Sequence, residues 1–337
     1  MDKLRVTVLY DGMEDEEQAE AEAKGEKPPK PVPEQVLQVL GKRGHEVKLL
    51  AAGAKVKNLA GQIDKEESDI VFNLCESLGG NSQHEQNVAS LLELFGKHFT
   101  GAGAIGLALA QDKALTKKLL AFHGIKCPKF SVMDAGHVEW SDDLKMPLFV
   151  KPLNEDASIG IDAKAIVRNI KELMERLSYI QTEFNGPALV EEYIEGREIY
   201  VGVLGNSKPE ALPIIEWDFS KLSKDTPRIA SSEAKWDEDS EGYKAPEIFP
   251  EDIPEAVYKS IQDAAIVAFK TLKLRDYARV DMRLRTSNKD WEFFVIEVNP
   301  NPHLDKKSEL AMAAKKHGLS FPDLVEKIIE LAMDRRR

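Results

Sequence analysis

Two triplets in the last third of the chain constrain its fold most: Arg279-Val280-Asp281 and Glu297-Val298-Asn299. In each, two polar residues stand two positions apart around a valine. Successive side chains of a strand point to opposite faces, so a strand sends Arg279 and Asp281 to one side and Val280 to the other. The same holds for Glu297, Asn299 and Val298. Two such strands side by side bring two carboxylates, an amide oxygen and an arginine together. Hard-oxygen ligands of this kind suit Mg²⁺, which is usually held by one or two carboxylates plus substrate phosphates. A solvated hairpin face also alternates charged with apolar residues. Against that, the second strand reads Trp291, Phe293, Val295, Glu297 and Asn299 along one face, and a carboxylate without a partner is costly beside an apolar row. The triplets point to a metal–nucleotide site.

The chain has 337 residues, enough for two or three domains with their own cores. Its 42% hydrophobic and 31% charged residues are ordinary for a soluble protein. No apolar run approaches the ~20 residues of a membrane span, and Met1–Tyr10 reads as a first strand rather than a targeting segment. Only Cys75 and Cys127 are present, which argues against a disulfide scaffold or zinc cluster and suits a reducing cytosol. Both are expected to be buried as small apolar residues. Net charge is −12, and residues 11–34 alone hold nine acids against Lys24, Lys27 and Lys30. No basic stripe interleaves with aromatics, so neither nucleic acid nor membrane is an expected partner.

Along the chain, Val6–Tyr10 reads as a strand and the acidic, proline-bearing Asp11–Pro33 as a flexible loop. A helix over Gln35–Arg43, strands at Glu46–Leu50 and Asp69–Asn73, and a helix over Gln86–Phe95 closed by Gly96 predict a parallel α/β unit. A second unit begins near Gln111. It contains a helix over Asp112–His123, strands at Lys129–Met133, Pro147–Lys151, Ala163–Val167 and Ala188–Tyr193, and a helix over Asn169–Tyr179. A third unit has strands at 197–204, 209–216, 275–286 and 291–299 and helices near 252–272, 308–317 and 320–334. The predicted division is thus 1–110, 111–194 and 195–337.

Gly101-Ala102-Gly103-Ala104-Ile105-Gly106 matches the dinucleotide pattern G-x-G-x-x-G in letters only. That pattern belongs after the first strand of a βαβ unit with an acid about 20 residues on. Residues 121–133 contain no acid, so the glycines are expected to form a tight interdomain turn. Lys151 ends the apolar run Pro147–Val150 and precedes the polar loop Asn154–Gly160, a context in which a lysine and free backbone N–H groups can hold phosphate. A lysine snorkelling at a sheet edge would look the same. Glu191-Glu192-Tyr193-Ile194, followed by Glu198, can place backbone groups and a carboxylate at an adenine and a ribose. It can equally be an acidic exposed turn.

The order of these pieces resembles the ATP-grasp superfamily, and within it the D-alanine–D-alanine ligase family. The resemblance is carried by Thr100-Gly101-Ala102-Gly103 with Asp112-Lys113; Phe149-Val150-Lys151-Pro152 with Ser158-Ile159-Gly160; Leu189–Ile194 with Arg197-Glu198; and the two triplets with Pro300-Asn301-Pro302. The tail from Ala311 through Phe321 also looks like that family's closing helices, so the likeness spans about residues 70–333. It implies a three-domain fold of mixed α/β class: an N-terminal parallel α/β domain, then two ATP-grasp subdomains with ATP between them. It implies that Lys113 and Lys151 contact ATP phosphates, that Glu191, Tyr193 and Ile194 contact adenine, and that Glu198 holds ribose. Lys235, in a mobile acidic loop, would close over the phosphates. Asp281, Glu297 and Asn299 would bind Mg²⁺ or Mn²⁺. Arg279, Lys151 and Ser158 would serve catalysis. The implied reaction joins a carboxylate to an amine through an acyl phosphate, in a cytoplasmic enzyme of cell-wall synthesis for which a homodimer is compatible with the resemblance.

The chain departs from that family's pattern at the amino-acid end. Tyr10-Asp11-Gly12-Met13 replaces a glycine-rich turn, and Asn73-Leu74-Cys75-Glu76 replaces a histidine-glycine. Ala157 stands for a serine, Trp236 for a tyrosine and His303 for a glycine near the oxyanion. Ser308 is kept where a second substrate's carboxylate would sit, but Glu309 replaces an apolar neighbour and would repel it. The nucleotide half matches and the substrate half does not, which leaves open a ligase acting on a different, cationic amine. A phosphotransferase on the same fold and a silent nucleotide-binding module are the readings of other classes. The retained Lys113, Lys151, Arg279, Asp281, Glu297 and Asn299 speak against the silent module.

Overall fold

The structure is a computed structural model that describes residues 2–12, 30–136, 138, 144–155, 158–223, 226–237, 240–287 and 290–335. Most of the acidic stretch and Ala157 lie outside the described residues, and nothing is described of the Trp236 side chain. Strands β1 (Arg5–Tyr10), β2 (Glu46–Ala51) and β3 (Ile70–Asn73) form a parallel sheet in the order β2-β1-β3. Nearly every residue of β1 and all of β3 are buried, as expected of parallel strands covered on both faces. Helices α1 (Val32–Lys42), α2 (Val56–Asp64) and α3 (Glu85–Leu94) accompany the sheet. Helix α1 starts before Pro33, earlier than the expected loop allows, because a proline in the first helical turn gives up an N–H that has no partner there.

The glycine run turns only at its start. Gly101 has φ +86°, and Gly103 precedes helix α4 (Ala104–Gln111), which continues through Gly106. A Cβ at Gly106 would lie 3.1 Å from the Leu274 side chain, so its small size serves close helix packing rather than the expected interdomain turn. Helix α5 (Lys113–Phe122) follows, capped by the Asp112 side chain accepting from Leu115 N–H.

The second sheet is antiparallel, with β4 (Phe130–Met133), β5 (Leu148–Pro152), β6 (Ile166–Val167) and β7 (Ala188–Glu192) in the order β4-β7-β5-β6. The strand expected at 163–167 shrinks to β6 because Asp162 caps a short 3₁₀ turn over Ala163–Ala165. Helix α6 (Ile170–Phe184) runs past the expected stop and ends at Asn185, which takes the left-handed conformation with φ 48°. It packs Leu173, Leu177 and Ile180 against Leu148, Val150 and Val190.

The third sheet runs β11 (Glu247–Ile248), β10 (Ile215–Trp217), β8 (Arg197–Gly205), β12 (Asp276–Ser287), β13 (Asp290–Pro300), with β9 (Glu210–Ala211) paired to β8. The single strand expected over 209–216 is broken into β9 and β10 around Pro213, which has no N–H for a ladder. Helices α7 (Ser232–Trp236), α8 (Glu255–Thr271), α9 (Glu309–Lys316) and α10 (Phe321–Asp334) complete the unit. One apolar core joins Leu9 and Val71 of the first sheet to Val201 and Val280 of the third, and another joins Val6 and Val8 to Leu324 and Ile328 of α10. Among the described residues no helix is long and apolar enough to cross a membrane.

The β12–β13 pairing decides the site. Asp281 lies opposite Glu297 and Arg279 opposite Asn299, but Met282 lies opposite Val295, so Ile296 is an extra residue in β13. Such a bulge shifts the alternation by one position. Phe293 and Val295 therefore join Met282, Leu284 and the paired Val280 and Val298 in the core. The expectation that Trp291, Phe293, Val295, Glu297 and Asn299 share one face is wrong: the apolar row and the polar pair face opposite ways.

Candidate nucleotide and metal site

A cleft of about 580 Å³ lies between the second and third sheets, with Lys151, Glu191, Lys235, Asp281 and Glu297 among its lining residues. At its foot Lys113, the first residue of α5, places Nζ 3.1 Å from Glu297 Oε1. Lys151, near the end of β5, places Nζ 3.5 Å from Glu297 Oε2. Both lysines are buried, and burial alone would push the Glu297 carboxyl up. Lys151 and Lys113 outweigh it and hold that carboxyl far below the usual range. Lys113 also donates to the carbonyl of Glu155 at 2.5 Å.

Asp281 accepts a two-pronged contact from Arg279, at 2.7 Å from Nε and 2.9 Å from Nη2. Asn299 Nδ2 donates to the same carboxylate at 2.9 Å. Burial nevertheless keeps the Asp281 carboxyl above its ordinary value. Arg279 stacks 5.0 Å from the Tyr200 ring, and its Nη1 donates to Glu309 Oε2 at 3.3 Å. Glu309 thus grips the arginine. Burial works against the Glu309 charge, and Arg279 and Lys235 overcome it, holding the carboxyl below its usual range.

At the other end of the cleft stand Glu191, Tyr193 and Ile194. The Tyr193 N–H is engaged by Pro147 O at 3.2 Å. Glu198 is nearly buried; it accepts from Tyr200 Oη at 3.0 Å and from Arg283 Nη1 at 3.0 Å. Arg283 also donates to the carbonyls of Ile194, Gly196 and Arg228, at 3.0, 2.8 and 2.9 Å, tying the chain turn after β7 to the loop over the cleft. Ser158, in the loop after β5 and with φ 61°, donates to Ala230 O at 2.8 Å, and Ser232 donates to Ser158 O. Lys235 sits in the short helix α7, capped by Ser231, within the acidic segment expected to carry it.

The remaining predicted residues lie apart from this cleft. His303 is exposed and lines a second cavity of about 340 Å³ with Glu76, Cys75 and Asn301. His303 Nδ1 is 3.9 Å from Glu76 Oε1, and that acid raises the imidazole pKa. Ser308 caps α9, and its hydroxyl donates to Asp305 O at 2.7 Å. Cys75 is buried as expected, whereas Cys127 is only partly so.

Residues 119–330 match the family model described as D-ala D-ala ligase C-terminus. The D-alanine–D-alanine ligase of Syntrophotalea carbinolica is 33% identical over 89% of this chain and 90% of its own. That of Desulforudis audaxviator is 33% identical over 77% of this chain and 80% of its own. The chain belongs to the D-alanine–D-alanine ligase family. An uncharacterized protein of Sinorhizobium fredii is 34% identical over 91% of this chain and 90% of its own. The fold is that of the Bacillus anthracis D-alanine–D-alanine ligase solved with ATP, at TM-score 0.75 over 99% of this chain and 98% of that one, with 23% identity.

The sequence reading missed three charged residues at the site. Arg283 follows Asp281 by two and shares its face of β12, a signal alternation could have supplied. Lys117 follows Lys113 by four and lies one helical turn on. Glu247, in the two-residue strand β11, left no pattern at all. Its carboxyl is pushed up to about 7 by burial and then by Glu309.

Proposed function

We propose that this protein is an ATP-dependent carboxylate–amine ligase that forms an amide through an acyl phosphate, with ATP held between units 111–194 and 195–337. The observation that carries the reading is the convergence of Lys113 and Lys151, from separate elements, on Glu297 opposite Asp281. Two ammonium groups and Arg279 are what a triphosphate carrying ~4 negative charges requires in a site that works by positioning and electrostatics. In this reading Glu191, Tyr193 and Ile194 hold adenine and Glu198 the ribose, while Ser158 and Lys235 close over the phosphates. The oxygens of Asp281, Glu297 and Asn299 form a hard donor set that fits Mg²⁺ or Mn²⁺, which when bound would neutralise phosphate charge.

A substrate carboxylate oxygen attacks the γ-phosphorus, the bond to the bridging oxygen of ADP breaks, and ADP leaves. The amine nitrogen then adds to the carbonyl carbon. Phosphate departs with the C–O bond pair, the nitrogen loses a proton, and an amide remains. Arg279, held by Asp281, Glu309 and the Tyr200 ring, is oriented in advance for the transferred group. A ligase of this kind works where ATP is abundant, in the cytoplasm.

The names of the relatives point to two D-alanines as substrates. A second reading, a different amine, is favoured by the fully engaged Ser308 hydroxyl and by the Glu309 carboxylate, where a substrate carboxylate would meet repulsion. The test is ADP release with Mg²⁺-ATP against D- and L-amino acids and polyamines, with mass spectrometry of the products. A D-alanyl-D-alanine mass with D-alanine alone establishes the first reading. A condensation product only with another amine establishes the second, and no ADP release with any pair refutes the ligase.

A further inference from the structure

Lys117 is 1% exposed, an extreme position for a lysine in the middle of a helix. Its Nζ lies 2.9 Å from Glu191 Oε2 and donates to the carbonyl of Ile296 at 3.1 Å. Both of those residues line the nucleotide cleft, and Ile296 is the bulge residue that turns Glu297 toward it. Glu191 is itself 3% exposed, and its cross-strand neighbours, Phe130 and Phe149, offer no charge. Oε2 accepts no directed hydrogen bond despite its ion pair. A buried carboxylate needs a counter-charge, and here Lys117 supplies it.

The pairing has a consequence for the base that the cleft accepts. A carboxylate accepts hydrogen bonds and donates none. Adenine offers a 6-amino donor, while guanine and hypoxanthine offer a 6-oxo acceptor, which a carboxylate repels. Without the Lys117 contact the Glu191 carboxylate loses the partner that holds it at the nucleobase end, and the discrimination between the two bases weakens.

We propose that Lys117 is a positioning residue for the nucleobase end of the site: by pairing with Glu191 it makes the cleft select 6-amino over 6-oxo purine nucleotides. The inference rests on the ATP-dependent reading above. Lys117 touches neither phosphate nor substrate. It acts through Glu191 and, by its bond to the Ile296 carbonyl, keeps the bulge beside it in register.

The experiment is calorimetric titration of the full chain with Mg²⁺-ATP and Mg²⁺-ITP, in the wild type and in K117M, K117Q and K117R. The wild type is expected to prefer ATP by a factor of ~10–100, the worth of one charge-assisted hydrogen bond against an unmade one. K117M and K117Q are expected to lower the ATP/ITP affinity ratio about tenfold. K117R, which keeps the charge, is expected to retain the preference. Should K117M fail to fold, K117Q carries the test, because its amide still satisfies the Ile296 carbonyl while lacking the charge. A purely structural lysine would weaken both nucleotides equally, and an unchanged ratio in the folded variant overturns the proposal. A wild type that binds ATP and ITP alike also overturns it while leaving the ligase intact. A wild type that binds no nucleotide sinks the ligase reading itself.

Discussion

Replacing Glu297 by Gln removes one negative charge from between two buried ammonium groups. Its contacts are 3.1 Å to Lys113 and 3.5 Å to Lys151, and both lysine side chains are under 5% exposed. At an effective dielectric of ~20 each contact is worth ~5 kcal/mol of Coulomb energy before desolvation is counted. Neutralising one partner of a buried pair costs a net ~3–5 kcal/mol. The glutamine oxygen still accepts a hydrogen bond and Glu297 is 19% exposed, so the lower end, ~3 kcal/mol, is expected. A domain with ~5–15 kcal/mol of stability remains folded after such a loss, but turnover is expected to vanish. The two lysines then lack an anion, and triphosphate supplies one. Urea melts of wild type and variant, with and without ATP in EDTA, should show the larger ATP-induced gain in the variant. Equal stability to within ~0.5 kcal/mol, or an equal gain from ATP, would refute the electrostatic account of the cleft floor.

Glu247 provides a test of sign. Its folded-state pKa, raised from 4.5 to about 7, means that the native protein holds the proton more tightly than the unfolded chain. That contribution is full below pH 4.5 and is lost as pH rises through about 7. Denaturation midpoints should therefore favour Glu247→Gln over wild type more at pH 8 than at pH 5, and a pH-independent difference would contradict the burial of this acid beside Glu309. Arg283→Met removes the counter-charge of Glu198 and three carbonyl contacts, so KM for ATP should rise at least ~10-fold with a smaller change in kcat. An unchanged KM would remove Glu198 from the ribose. At Gly101, φ is +86° and an added Cβ would fall 2.2 Å from Asn301 Oδ1, which accepts from Ala102 N–H. Gly101→Ala should cost ~2 kcal/mol or more in a thermal melt, and a neutral effect would mean that this turn is not held as described.

Alternation made the two triplets legible as strands, and their two-residue spacing already put Arg279 with Asp281 and Glu297 with Asn299. The helices around 85–95, 113–122, 309–316 and 321–334 were visible from their apolar period and caps. Helix α2 was missed altogether, because a short amphipathic turn among lysines and small residues is a weak pattern. Helix α4 was hidden by its glycines. The role of Gly106 depends on Leu274, far along the chain, and no local pattern encodes that contact.

The order of most strands and of the longer helices, the polar pairs on each strand, and the family likeness of the nucleotide half were legible along the chain. Those features depend on local periodicity and on residue identity at fixed spacing. Which groups meet depends on contacts between elements far apart in the chain. The bulge at Ile296 arises from how β13 pairs with β12, and it alone turns Glu297 away from the apolar row and toward Lys113 and Lys151. The grip of Glu309 on Arg279 and of Lys117 on Glu191 joins residues from different elements, and the chain folds them together because its charges are buried in pairs.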